Sequence, residues 1–202
     1  MNTESIEITP IKSIKGELVI PADKSISHRS LLLNSIAKGT AKVYNLLPSE
    51  DVLRTKTILK QLGISIIDFE DHIQITGGEF QEPKEELYCG NSGTTMRLLL
   101  GLLAPNPISV ILTGDASLSR RPMQRVTCYL KDLDISCKGS DGEIANYAPL
   151  RLKGNSNPPF FDIDIPIASA QVKSALALVA LQSNGGYIRG GGSSRDHTER
   201  MI

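Results

Sequence analysis

Three short stretches gather the hydroxyls, small residues and cations that bind anions. They are Ser25-Ile26-Ser27-His28-Arg29 behind Lys24, Ser92-Gly93-Thr94-Thr95-Met96-Arg97 behind Gly90-Asn91, and Ser169-Ala170-Gln171-Val172-Lys173. Each runs into an apolar segment of helical spacing, so each sets unpaired backbone N–H groups and the positive end of a helix dipole beside a cation. That is the chemistry of phosphate or carboxylate binding. The dipole contributes only about 0.3–1 kcal/mol, so Lys24, Arg29, Arg121 and Arg195 are expected to add charge-assisted hydrogen bonds. The alternative stays open for any single turn: Ser25, Ser169 and Ser194 as helix caps, and the arginines as solvated surface. Recurrence in register favours the anion reading.

Other chemistry is less well supported. Gly90-Asn91-Ser92-Gly93-Thr94 has neither the GxGxxG spacing nor the Gly-Lys-Ser/Thr ending of a Walker loop, so no nucleotide is implied. His28 and His197 are acid/base candidates at physiological pH, but no nucleophile-base pair can be assigned to them, and a histidine beside a helix start is expected to cap or to face solvent. Cys89, Cys128 and Cys137 show no metal-ligand spacing and fit buried or incidental places. Asp162 and Asp164 alternate with apolar neighbours, as on a half-buried strand. With 22 Lys and Arg against 22 Asp and Glu, 4% aromatics and no Trp, nothing steers the chain toward nucleic acid or an anionic membrane. The N-terminus lacks a basic and an apolar signal region, and the apolar stretch from Leu98 to Leu112 is broken by Pro105 and Pro107. A cytoplasmic protein with neither export nor a membrane span is expected.

The elements that must carry these turns repeat. Leu59-Lys60-Gln61-Leu62-Gly63-Ile64 is echoed by Leu130-Lys131-Asp132-Leu133-Asp134-Ile135, a step of about seventy residues. The three turns keep nearly that step. So do Ser49-Glu50-Asp51, Ser119-Arg120-Arg121-Pro122 and Ser194-Arg195-Asp196, each opening a second helix, with Pro122 in the first turn. In the first unit helices are predicted over 27–38 and 50–62, with strands near 40–45, 64–69 and 72–76. In the second, helices fall over 94–103 and 120–133 and strands near 108–113 and 134–138. In the third, Ile163–Ile167 is extended, 169–182 is helical and 187–189 is a strand. The period then calls for a further echo beyond Ile202, so the chain is expected to be a portion of a longer polypeptide. The fold class is α/β (α+β).

Pro21-Ala22-Asp23-Lys24-Ser25-Ile26-Ser27-His28-Arg29, Gly90-Asn91-Ser92-Gly93-Thr94-Thr95-Met96-Arg97, Leu112-Thr113-Gly114-Asp115 with Arg121-Pro122-Met123, Ser169-Ala170-Gln171-Val172-Lys173-Ser174-Ala175 and Arg195-Asp196-His197-Thr198-Glu199 together resemble the N-terminal half of the 5-enolpyruvylshikimate-3-phosphate synthase family. The resemblance implies an enolpyruvyl-transferase-like domain of repeated βαβαββ units, here with the third truncated. Residues 21–202 would be the substrate-binding domain, and residues 1–20 a strand segment that pairs with a missing C-terminal domain. The family moves the enolpyruvyl group of phosphoenolpyruvate to the 5-hydroxyl of shikimate 3-phosphate, with neither metal nor organic cofactor.

Carried over by position, Lys24, Ser25, Arg29, Ser169, Gln171 and Arg195 would hold shikimate 3-phosphate. Lys24, Gly93, Arg121 and Gln171 would hold phosphoenolpyruvate, with Asn91 and Thr94 in support. Lys24 would serve both substrates and catalysis. The remaining acid and base groups have no counterpart here, so the chain alone is expected to bind rather than turn over. Position 170 is Ala where many members have Ser, and Gly93 resembles the version that admits the inhibitor glyphosate. The related UDP-N-acetylglucosamine enolpyruvyl transferases carry Gly-Ala-Lys-Asn at the first turn and a reactive-cysteine loop, and RNA 3′-phosphate cyclases carry a nucleotide-handling His motif; this sequence has none of these.

Overall fold

A computed structural model describes residues 6–10 and 12–202 of the chain; part of the expected N-terminal strand segment lies outside them. The first unit runs α1 (Lys24–Ile36), β1 (Thr40–Tyr44), α2 (Glu50–Gln61), β2 (Ser65–Asp68) and β3 (His72–Thr76). The second runs β4 (Leu87–Tyr88), α3 (Gly93–Leu103), β5 (Ser109–Thr113), α4 (Gln124–Lys131), β6 (Ser136–Lys138) and β7 (Leu150–Lys153). β8 (Phe161–Ile165), α5 (Ala170–Ala180), β9 (Gly186–Gly190) and α6 (His197–Met201) follow.

The repetition extends to the sheets. In the first unit the strand order is β1-β3-β2, all antiparallel, and in the second β5-β7-β6 repeats it with β4 added in parallel outside β5. β8 and β9 pair in parallel across α5 as β4 and β5 do across α3.

The Leu-Lys-x-Leu-x-Ile echo has a physical origin. Ile64 N–H bonds to Leu59 O and Ile135 N–H to Leu130 O, both at the six-to-one spacing of a Schellman turn ending α2 and α4. The residue that must turn left-handed is Gly63 at φ 88° in one and Asp134 at φ 57° in the other.

α3 is the centre of the core. Met96, Leu98, Leu99, Leu100, Leu102 and Leu103 are fully buried, so the helix is enclosed on nearly every side. It packs along α5, and their backbones approach most closely at Gly101, where an added Cβ would stand 2.1 Å from Ala175 O.

Several expectations are corrected. The helix foreseen over 120–133 is a 3-10 turn at Leu118–Arg120, a break, and then α4, so Pro122 precedes the helix rather than opening it. The extended segment is Phe161–Ile165 rather than Ile163–Ile167. α1 is capped by Asp23, whose carboxylate accepts from Ile26 N–H at 2.8 Å, and not by Ser25. Asp196 stands at the cap position of α6, leaving the half-buried Ser194 with its hydroxyl enclosed and unpartnered. Residues 12–20 pair with no strand among the described residues, and Leu18, Val19 and Ile20 are exposed.

Candidate functional site

Lys24 opens α1, and its ammonium reaches Asp51 Oδ2, in the first turn of α2, at 2.8 Å. Ser25 beside it receives Arg195 Nη1 at 3.3 Å, which brings the segment before α6 onto the start of α1. Asp51 also joins the second unit, because its backbone carbonyl accepts from Thr95 Oγ1 at 3.3 Å. Behind it a buried chain runs from His28 Nδ1 to Thr55 Oγ1 at 2.8 Å, to Thr95 Oγ1 at 2.8 Å and to Ser92 Oγ at 2.7 Å.

Ser92 caps α3 through Thr95 N–H, and Gly90 at φ 59° turns the preceding loop. Asn91 donates to Asp115 Oδ2 at 3.0 Å and accepts Arg121 Nη2 at 2.7 Å, so an exposed guanidinium is held over the start of α3 by a neutral amide. Gly93 leaves the space those cations occupy: a Cβ there would lie 2.9 Å from Arg97 Nη1 and 3.5 Å from Arg121 Nη1.

The third start is tied to the second by Gln171. Its Nε2 donates to Thr94 Oγ1 at 3.0 Å, and its Oε1 accepts Arg97 Nη1 at 2.8 Å. Ser169 caps α5 and lines a cavity of about 340 Å³ with Pro122, Arg125, Tyr129 and Ile165. The starts of α1, α3 and α5 are thereby joined at one end of the molecule. Lys24, Ser25 and Arg195 form one cluster there, and Asn91, Gly93, Thr94, Arg121 and Gln171 another.

Arg29 is held from inside the fold. It is only 5% exposed, and it donates to Thr198 Oγ1 at 2.6 Å, Ser174 Oγ at 2.6 Å and Ser25 O at 3.0 Å. Burial lowers its pKa, opposed by Glu199. The cation that follows the third turn, Lys173, is likewise committed, to Glu199 at 2.5 Å. His28 neither caps nor faces solvent: it is fully buried with Nε2 unpartnered, and desolvation brings its pKa down to about 4. The thiols of Cys89 and Cys137 are pushed up to about 12 by burial, which leaves them protonated and inert. Asp162 and Asp164 occupy the exposed face of β8 as read.

Sequence reasoning missed Arg97 and Asp51 as members of this site. Arg97 could have been found from its motif, since it is the basic residue that follows the second turn as Arg29 follows the first. Burial lowers its pKa, with Arg125 and Arg121 adding repulsion. Among the described residues Arg97, Arg121, Arg125 and Arg195 form no ion pair, so the open end carries uncompensated positive charge.

An α/β domain of repeated strand-helix units, with cations grouped over the starts of its inner helices, belongs to the enolpyruvyl transferase class of folds. The enolpyruvyl transferase NikO from Streptomyces tendae shares this fold at 14% identity and a TM-score of 0.57, over 86% of this chain and 41% of that one. The chain belongs to the EPSP synthase (3-phosphoshikimate 1-carboxyvinyltransferase) family, whose model matches residues 8–202. It is 43% identical over 198 residues to the 3-phosphoshikimate 1-carboxyvinyltransferase of Streptococcus gordonii, covering 96% of this chain and 46% of the relative. With that of Halorhodospira halophila the identity is 43% over 207 residues, covering 100% and 46%. EPSP synthase from Acinetobacter baumannii superposes at a TM-score of 0.84 and 38% identity, over 93% of this chain and 43% of that one. The chain thus spans about half the length of the curated relatives it matches.

Proposed function

We propose that this chain supplies one wall of an enolpyruvyl transfer site, and that shikimate 3-phosphate and phosphoenolpyruvate bind across the joined starts of α1, α3 and α5. The carrying observation is that Gln171 bridges Thr94 and Arg97 while Lys24 and Arg195 flank Ser25, which sets cations at two adjoining positions. Two anionic substrates repel each other, and interleaved cations let them approach to reacting distance. Lys24, Ser25, Ser169, Gln171 and Arg195 serve shikimate 3-phosphate; Arg29 serves it by fixing the Ser25 carbonyl. Lys24, Gly93, Arg121 and Gln171 serve phosphoenolpyruvate, with Asn91 holding Arg121 and Thr94 holding Gln171.

The 5-hydroxyl gives up its proton to a base as its oxygen adds to C2 of phosphoenolpyruvate, and C3 takes up a proton from an acid. The tetrahedral adduct then expels phosphate from C2 and returns a C3 proton, leaving the enol ether. The proton-transfer groups come from a C-terminal half that packs on residues 1–20, and closure of the two halves excludes water. This chain alone binds without turnover in the cytoplasm-type setting of biosynthesis, and glyphosate competes at the Gly93–Arg121 side.

Calorimetric titration with shikimate 3-phosphate, followed by an assay of phosphate release with phosphoenolpyruvate present, tests the proposal. Binding by this chain is expected, with phosphate release only after a C-terminal half is added. Turnover by the chain alone, or no binding of either substrate in the joined halves, overturns it. Glyphosate that fails to compete with phosphoenolpyruvate in the joined halves removes the inhibitor from the reading.

A further inference from the structure

Arg97 touches three structures at once. Its stem rises from the first turn of α3, Nη1 donates to Gln171 Oε1 at 2.8 Å, and Nη2 donates to Pro122 O at 3.0 Å in the turn that presents Arg121. Gly93, one helical turn earlier on the same face, has no Cβ to obstruct the guanidinium. The amide of Gln171 lies between Arg97 and the hydroxyl of Thr94. A hydroxyl donates or accepts equally well, so Thr94 alone would allow either orientation of that amide. Arg97 has only donors and allows one: Oε1 toward the guanidinium and Nε2 toward Thr94. An amide held this way spends one N–H on Thr94 and keeps the other to donate.

We infer that Arg97 is a positioning residue that fixes the polarity of Gln171, so that the amide meets an anionic ligand as a donor, and that also anchors the Arg121 turn through Pro122 O. This rests on the proposed binding role of Gln171. It separates Arg97 from the cations that meet the ligand directly: Arg121 and Arg195 reach the open end, whereas Arg97 is half-buried with both its terminal nitrogens engaged and Nε enclosed without a partner.

The 202-residue chain allows two measurements. In the first, without ligand, the side-chain NH2 pair of Gln171 is assigned by NMR. The two resonances are expected to be well separated in the wild type and to collapse toward the position of a free amide in Arg97→Met, which keeps the aliphatic stem and loses both bonds. An unchanged pair overturns the inference.

In the second, shikimate 3-phosphate is titrated into the wild type, Arg97→Met, Gln171→Ala and the double variant. Loss of a charge-assisted bond that orients a binding group predicts weakening of about tenfold in Arg97→Met. In the Gln171→Ala background the same change is expected to cost less than about twofold, because there is no amide left to orient. Equal losses in both backgrounds show direct contact with the ligand and overturn the positioning role. Should the wild-type chain take up no shikimate 3-phosphate, the binding proposed for this chain alone falls and the NMR measurement alone decides the part played by Arg97.

Discussion

At the scale of single residues, the three turns divide their cations into two groups. Lys24, Arg121 and Arg195 look outward, while Arg29, Arg97 and Lys173, the basic residues that follow the three turns inside α1, α3 and α5, tie elements together. For Arg29 this has a cost in stability. Arg29→Ala removes three charge-assisted bonds at a buried place, and unfolding in urea is expected to show a loss of about 2–4 kcal/mol. A variant as stable as the wild type would return Arg29 to the ligand alone. His28 provides the pH dependence. Asp51 favours its protonation, Lys24 and Arg29 oppose it, and burial dominates, so its pKa falls from 6.5 to about 4 in the folded chain. The unfolded chain therefore takes up a proton below about pH 6.5 that the folded chain refuses until about pH 4. The stabilisation from neutral His28 is complete above that interval and is lost across it, by roughly 3 kcal/mol. His28→Asn keeps a bond to Thr55 without titrating, and should flatten the slope of unfolding free energy between pH 6.5 and 4; an unchanged slope would place the dependence elsewhere.

At the scale of elements, the site depends on how closely α3 and α5 approach. Thr94 and Arg97 stand at the start of one helix and Gln171 at the start of the other, and Gly101 lets the two backbones meet two turns further on. Gly101→Ala must separate them, since its Cβ would overlap Ala175 O. About 3 kcal/mol of destabilisation is expected, near the upper end of ordinary overpacking. The Gln171 bridge should loosen with it, visible in the same side-chain NH2 resonances; a neutral change would mean that the helices slide at no cost. The helices were legible in the sequence because glycines and hydroxyls punctuate apolar runs, and the Schellman turns at Gly63 and Asp134 leave a repeated string. β4 and β7 were not, since a two-residue strand and a strand following the irregular segment 139–149 carry little periodicity. α4 was read too long because Pro122 suits a first helical turn as well as the break it actually makes. The inward commitment of Arg29 was invisible for another reason: its partners Ser174 and Thr198 lie far along the chain, and only folding brings them to it.

At the scale of the whole molecule, the first unit is short of one strand. β4 ends five residues before α3 begins and pairs in parallel with β5, and β8 ends five residues before α5 begins and pairs in parallel with β9. The same offset before α1 falls at Val19, inside an apolar run whose Leu18 and Val19 are 83% and 88% exposed, and β1 has an open edge where that strand would lie. A lone strand on an edge with its outer side in water gains little, whereas a second half packed over residues 1–20 would cover that side and make the pairing favourable. Hydrogen exchange followed by mass spectrometry tests this directly. With the chain alone, amides 17–20 are expected to exchange as freely as an unpaired segment. On adding a C-terminal half they should slow together with those of β1. Slowing at 17–20 without any change in β1 would show that the segment pairs wholly with the second half, and the symmetry between the first unit and the second would then stop at Lys24.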